Sequence, residues 1–241
     1  MKNPNTQKKC NPKTDVEPIY VISDIHGYLK PFVKALLSID PFNGRLILLG
    51  DYLGGPDDYA ILDLIARYLR EGAKITVLRG NREQPYCPSA EWIFRSSFEN
   101  RYGHGTEWHP HSLLMIMRKY EEVTTLTDCE DKGVIFVHAG IDEKAGENWR
   151  LDTDDRTFVE KYPPTFGKFS QTIVAGHVET AEIRQNNNHH IFWDGESHYY
   201  INGSVEKTGI LPVLVIEGNK FYEIYNGRKY RIKAEIPMIK P

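Results

Sequence analysis

The stretch Tyr20-Val21-Ile22-Ser23-Asp24-Ile25-His26-Gly27 decides how the rest of the chain is read. A short apolar run, of the kind that forms a buried strand, empties directly into an aspartate and a histidine two positions apart. A strand fixes the direction of its last residue. The loop after it can turn two nearby side chains toward one point, and the glycine allows close backbone approach. An Asp-x-His at a strand end is therefore a candidate metal-ligand pair, and also a common hydrogen-bonded turn. What separates the two readings is whether other strands end in the same way.

Outward from this stretch, strands and helices alternate. Tyr20–Ser23 reads as a strand, and Pro31–Ser38 as a helix with proline in its first turn. Arg45–Leu49 is a second strand. Asp57–Arg70 carries Ile61, Leu64, Ile65, Tyr68 and Leu69 at helical spacing before Gly72, and Lys74–Leu78 is a third strand. This order predicts parallel strands joined by right-handed crossovers. Between Gln84 and Tyr120 the pattern breaks. Trp92, Ile93 and Phe94, and later Leu113–Met117, suggest short helices around a loop rich in Gly and His, so an insert at about 84–120 is expected to form a rim. Strands resume at Val134–Val137 and Thr172–Ala175, followed by His190–Trp193, His198–Ile201, Leu211–Glu217 and Phe221–Tyr225, which read as mostly antiparallel material. The expected architecture is α/β (α+β), a two-sheet β-sandwich flanked by helices. It forms a single domain over residues 18–241, behind a flexible tail at 1–17.

Composition bounds the function classes. A chain of 241 residues, 40% apolar and with a formal charge of −3, suits one domain with a substantial core. No apolar run is long enough to span a membrane, and Met1–Glu17 is polar and lysine-bearing without the hydrophobic segment of a secretory signal, so a cytoplasmic protein is expected. Cys10, Cys87 and Cys129 lack paired spacing and fit a reducing compartment. The near-neutral charge gives no electrostatic footprint for nucleic acid.

The construction at Asp24 and His26 recurs at four later strand ends: Gly50-Asp51, Gly80-Asn81, His138-Ala139-Gly140 and Gly176-His177. In open α/β architectures the carboxyl ends of the strands form the ligand-binding edge, so Asp24, His26, Asp51, Asn81, His138 and His177 can converge. Carboxylate, imidazole and amide oxygen without thiolate suit Mn, Fe or Zn.

With these motifs in order, the chain resembles the calcineurin-like metallophosphoesterases. The likeness is to their phosphoprotein-phosphatase branch, which includes bacterial serine/threonine protein phosphatases and diadenosine tetraphosphate hydrolases. That family carries Asp-x-His, Gly-Asp, Gly-Asn-His-Glu, His-Gly/Ala-Gly and then Gly-His on a two-sheet sandwich. The resemblance implies two divalent or trivalent metal ions. Asp24 and His26 would hold one, Asn81, His138 and His177 the other, and Asp51 would bridge them. It further implies hydrolysis of a phosphoester by direct attack of a metal-bridging hydroxide. The substrate would be a phosphoprotein, a nucleotide or another phosphorylated small molecule, with no membrane partner.

The chain departs from the family where phosphate is bound and the leaving group is protonated. Relatives carry Gly-Asp-x-x-Asp-Arg-Gly, and here the motif reads Gly50-Asp51-Tyr52-Leu53-Gly54-Gly55-Pro56. Gly-Asn-His-Glu has become Gly80-Asn81-Arg82-Glu83, so the family His–Asp pair is replaced by Arg82 and Gly54, and the phosphate arginine by Gly55. Arg82 is expected either to contact phosphate in place of that arginine or to point to solvent. The catalytic candidates are Asp51 and Arg82, and the substrate-binding candidates Arg82 and Asn81. Arg150 and Arg156 are candidates by vicinity for the second family arginine. Without the acid pair, good leaving groups such as aryl phosphates or phosphoanhydrides are expected to be favoured. A nucleotide or dinucleoside polyphosphate hydrolase is one alternative, and a metal-binding pseudophosphatase acting through the insert is another. His104, His109 and His111 read as a solvated loop, with a third metal or substrate contact as other readings. Arg79 is a further polar candidate, and Asn202 is expected in a structural role beside the site.

Overall fold

The computed structural model describes residues 17–83 and 126–239. Two β-α-β units open the chain: β1 (Ile19–Ile22), α1 (Leu29–Leu36), β2 (Arg45–Leu48), α2 (Asp58–Arg70) and β3 (Lys74–Val77). β1 pairs in parallel with β2, and β2 with β3, as alternating strands and helices require. The first sheet is completed by β9 (Val213–Glu217), β10 (Lys220–Tyr225) and β11 (Arg228–Arg231), in the order β11-β10-β9-β1-β2-β3. The second sheet runs β4-β5-β6-β8-β7, from β4 (Asp128–Asp131), β5 (Val134–Val137), β6 (Thr172–Glu179), β7 (Phe192–Trp193) and β8 (His198–Asn202).

Side-chain alternation sorts the core into layers, since successive strand residues face opposite sides. Leu46 and Leu48 pack with Phe32, Ile61 and Ile65 under α1 and α2, while Ile47 packs between the sheets with Val21, Phe136 and Val174. Ile135 and Val137 face outward with Trp149, Phe158 and Ile183 of α3 (Trp149–Asp152), α4 (Asp155–Glu160) and α5 (Thr180–Arg184). The result is four layers: helices, sheet, sheet, helices.

The structure differs from the sequence reading in four places. β5, β6 and β8 pair in parallel, so the centre of the second sheet is parallel and its antiparallel pairs lie at the margins. β6 continues to Glu179, with an irregularity between Ala175 and Glu179 that accommodates His177. β7 holds only Phe192 and Trp193, because the buried Glu223 carboxylate draws off what precedes them, accepting from the Ile191 amide at 2.9 Å and bonding His190 Nδ1 at 2.7 Å. β4 and β11 escape the apolar pattern, since they read Asp-Cys-Glu-Asp and Arg-Lys-Tyr-Arg; both are edge strands, where charge discourages pairing with another chain.

Cys10, Cys87, the insert at 84–120, His104, His109, His111 and nearly all of the N-terminal tail lie outside the described residues. Among the described residues, no helix is long and apolar enough to cross a membrane.

Candidate metal centre

The strand ends converge. The β1 loop is laced to the β2 loop by backbone bonds from Asp24 N to Gly50 O (3.1 Å), His26 N to Asp51 O (2.8 Å) and Gly27 N to Tyr52 O (2.7 Å). The second sheet is joined to the same edge through His177 N, which donates to Asp24 Oδ2 at 3.1 Å. Two glycines permit the approach: a Cβ on Gly80 would stand 2.2 Å from Asp51 Oδ1, and one on Gly176 would stand 2.4 Å from Asp24 Oδ2.

The backbone is held in an unfavourable region at these positions. Asp24, His26, Asp51 and His177 have φ of 53°, 48°, 56° and 58°. Left-handed conformations are costly for residues other than glycine and persist where the surroundings over-determine them, typically at functional sites. The sequence predicts where the candidate donors sit but not this feature, which follows from turning each side chain inward at the end of a strand.

Donor atoms of Asp24, Asp51 and His138 all lie within 4.8 Å of one another, and all three residues are buried. The carboxamide of Asn81 is 3.1 Å from His138 Nε2 and 3.2 Å from His177 Nδ1; with its nitrogen inward it donates to both rings and to Asp51. The two rings meet edge to face with centroids 5.2 Å apart. His138 Nδ1 lies 3.0 Å from the carbonyl of Leu49 and, donating to it, leaves the lone pair of Nε2 directed inward. That is how an imidazole ligand is oriented.

Charge is unevenly distributed across the edge. Burial lowers the pKa of His138, and burial together with His138 lowers His177 to about 4, so both rings are neutral at pH 7. Burial opposes charge on His26 as well, but Asp24, Asp51 and Glu206 outweigh it and raise His26 to about 9. Asp51 is raised by burial and by repulsion from Asp24. Burial pushes Asp24 up too, and His26, His138 and the hydroxyl of Ser23, which donates to it at 2.5 Å, more than reverse this. Among the described residues, Nδ1 of the buried His26 has no hydrogen-bond partner. Neutral imidazoles, facing carboxylates and an unpartnered ring nitrogen, without thiolate, fit divalent metal ions.

Glu83 supports this arrangement from below. Its fully buried carboxylate accepts from the backbone N–H of Asp51 (2.8 Å), Tyr52 (2.9 Å), Leu53 (3.2 Å) and Gly80 (2.9 Å), fastening the β2 and β3 loops together. Burial and Asp51 raise it to about 7.

Arg82 turns toward the site. Its backbone N donates to Asp51 Oδ1 at 2.9 Å, and its Nε stands 3.6 Å from Asp51 Oδ2. A Cβ on Gly54 would be 2.5 Å from Arg82 Nη1, so the guanidinium fills the space a side chain at position 54 would need. The turn at Gly54 and Gly55 is fastened by Asp58, which accepts from both amides at 3.0 Å.

The other arginine candidates are engaged elsewhere: Arg150 with Asp128 at 2.9 Å, Arg156 with Glu160 at 3.0 Å and Arg79 with Asp155 at 3.4 Å. Asn202 donates to Asp24 Oδ1 at 3.0 Å and to the His177 carbonyl at 2.9 Å. Sequence reasoning did not single out Asp58 or Glu206, and gave Glu83 no role. Glu83 is signalled by its place in Gly-Asn-x-Glu, whereas Asp58 and Glu206 carry no local signal.

A family model described as calcineurin-like phosphoesterase matches residues 17–206. No curated protein matches the sequence. Among solved structures, the cold-active protein-tyrosine phosphatase of a psychrophilic Shewanella species superposes with a TM-score of 0.61 at 16% identity, over 90% of this chain and 81% of that one. A protein provisionally described as a diadenosine tetraphosphatase gives 0.57 at 16% identity, over 88% and 95%. A protein serine/threonine phosphatase from Saccharomyces cerevisiae gives 0.55 at 14% identity, over 96% and 84%. At these identities the likeness is one of fold.

Proposed function

Because this chain belongs to the calcineurin-like phosphoesterase family, whose model spans residues 17–206, we propose that it hydrolyses a phosphoester at the edge where β1, β2, β3 and β5 end and β6 is interrupted at His177. The observation that carries this is the convergence of six donor side chains at one edge, four of them on left-handed backbone. In this reading Asp24 and His26 would hold one metal ion, Asn81, His138 and His177 would hold a second, and Asp51 would contribute to both. Bound there, such ions supply positive charge for phosphate oxygens and lower the pKa of water toward neutrality.

The chain's own residues do the rest. Glu83 keeps Asp51 and the Gly80 turn in register, and Asn202 holds Asp24 against the His177 segment. Arg82, partly exposed beside Asp51, presents a planar fork suited to phosphate oxygens and takes the place of the arginine that Gly55 lacks. Displacement by water is direct, without a covalent enzyme intermediate. Ser23, a hydroxyl beside the site, is buried and spends its donor on Asp24.

A guanidinium is a poor proton donor, so with Arg82 in the place of the family acid, leaving groups that need little assistance are favoured. The guanidinium in the Gly54 space supports a second reading, hydrolysis of a nucleotide or dinucleoside polyphosphate, whose phosphate leaving group departs unaided. The purified protein loaded with Mn, Fe or Zn should be assayed on aryl phosphates, phosphoserine peptides, dinucleoside polyphosphates and cyclic nucleotides. Turnover on aryl esters or anhydrides with a steep dependence on leaving-group pKa is expected. Equal rates on phosphoserine and aryl esters would contradict the role of Arg82, and bound metal with no turnover on any substrate would point to a binding protein.

A further inference from the structure

β8 ends at Asn202, whose Oδ1 accepts from Ser204 N at 2.9 Å while its Nδ2 grips Asp24. The chain then turns through Ser204 on left-handed backbone (φ 52°) into the short helix α6 (Val205–Thr208). Val205 is buried and anchors this turn, and Glu206 projects over the candidate site. Its Oε1 stands 3.4 Å from His26 Nε2, and Asp24 Oδ1 stands 3.7 Å from the same nitrogen. On the other side of the ring, Asp51 Oδ2 is 3.9 Å from Nδ1, a nitrogen with no hydrogen-bond partner among the described residues. The neighbouring cation, Lys207, pairs with Glu179 at 2.6 Å.

Donors that share an ion at about 2.1 Å stand roughly 3.0–3.4 Å apart, so Glu206 and Asp24, at 3.4 Å and 3.7 Å from His26 Nε2, each stand close to the spacing at which a carboxylate and that nitrogen could share an ion. The Glu206 side chain is 36% exposed, open enough to move toward Asp24 without disturbing the core.

We propose that Glu206 is a further metal donor on the Asp24–His26 side of the site, one that the motifs of the family do not supply. The inference rests on the two-metal reading above. It gives this chain a third carboxylate, so the ion on that side is held more tightly and the net positive charge facing phosphate is lower by one.

The test is Mn(II) binding to the full chain, measured by competition with a fluorescent chelator. The proteins compared are wild type, Glu206→Gln, Glu206→Ala and, as controls from the adjoining ion pair, Lys207→Ala and Glu179→Gln. The Glu206 variants are expected to lose about tenfold or more in affinity for one ion, within the range typical of outer contacts and ligands. The controls should match wild type. Melting curves in chelator check that each variant is folded, and the isosteric Glu206→Gln keeps the question answerable if alanine disturbs the turn. Affinities and stoichiometry unchanged within about twofold in both Glu206 variants would overturn the assignment and leave the two-metal reading standing. Absence of Mn(II) binding by wild type would overturn both.

Discussion

His26 and His198 are both buried histidines flanked by carboxylates, and in both the carboxylates outweigh burial and raise the pKa. They sit in different surroundings. His198 lies within the regular strand β8, with Nδ1 3.1 Å from Asp194 and Nε2 3.5 Å from Glu143; among the described residues that Nε2, like Nδ1 of His26, has no hydrogen-bond partner. Glu143 is in turn paired with Lys161 at 2.6 Å, and Asp194 accepts from the backbone N–H of Gly167, Glu196 and His198. Charges there balance, with Lys161 and His198 facing Glu143 and Asp194. His26 lies on left-handed backbone and faces three carboxylates, Asp24, Asp51 and Glu206. A balanced cluster on relaxed backbone holds the fold together. One with excess like charge on strained backbone is costly to the fold and is maintained for chemistry.

Replacing Asp51 tests that contrast most severely. In Asp51→Asn, turnover of an aryl phosphate should fall by about a thousandfold or more, roughly 4 kcal/mol. The chelator-treated protein should melt at the same or a higher temperature, because a carboxylate repelled by Asp24 has been removed. A lower melting temperature with activity retained would place Asp51 among the structural charges and dissolve the distinction.

Arg82→Ala comes next. A loss in turnover of at least about tenfold, or roughly 1.4 kcal/mol, is expected with little change in melting temperature. Lysine at this position should not restore the rate if the planar fork is what matters. Unchanged turnover in the alanine variant would remove Arg82 from the reaction.

The smallest effect on activity, and one seen chiefly in stability, is expected for Asp194→Asn. Turnover should stay within about twofold while the protein loses about 1.5–3 kcal/mol, the range for hydrogen bonds to charged groups. The pH dependence follows from the two shifts. Asp194 is lowered, by its bonds to His198 and to backbone N–H groups in spite of burial, so its contribution is present above about pH 4 and is lost as pH falls through the folded value. His198 is raised, so its contribution is present below about pH 6.5 and is lost as pH rises through the folded value. The groups facing His198 are Asp194, Glu143 and the ring of Tyr200, with Lys161 behind Glu143. The stability difference between wild type and Asp194→Asn should therefore be greatest between about pH 4 and 6.5, as read by denaturant melts across that range. A difference independent of pH would mean that the pair acts by packing alone.

The elements near the start of the chain were legible because their signals are local. Asp57–Arg70 shows a helical apolar stripe, and the structure forms a helix over Asp58–Arg70; Arg45–Leu49 and Lys74–Leu78 differ from their observed strands by one residue each. The later strands were less legible. β4 and β11 are charged edge strands without an apolar period, and His190 and Ile191 are diverted by Glu223, which lies 32 residues beyond Ile191. Whether β6 and β8 pair in parallel is decided by the path of the chain between them, which no strand records in its own residues.

The candidate site divides in the same way. The sequence by itself determined the chemistry on offer, since an apolar run ending in Asp24 and His26 recurs, with a donor beside glycine, at Asp51, Asn81, His138 and His177. Only the tertiary structure decided how these groups are charged and held. Glu83 reaches back across some thirty residues to three amides of the β2 loop, Arg82 enters the space at Gly54, and Glu206 comes within 3.4 Å of a histidine 180 positions earlier. The physical reason is range. Periodicity and turn chemistry act within a few residues, whereas desolvation, like-charge repulsion and the satisfaction of buried amides arise only when distant segments are packed against one another.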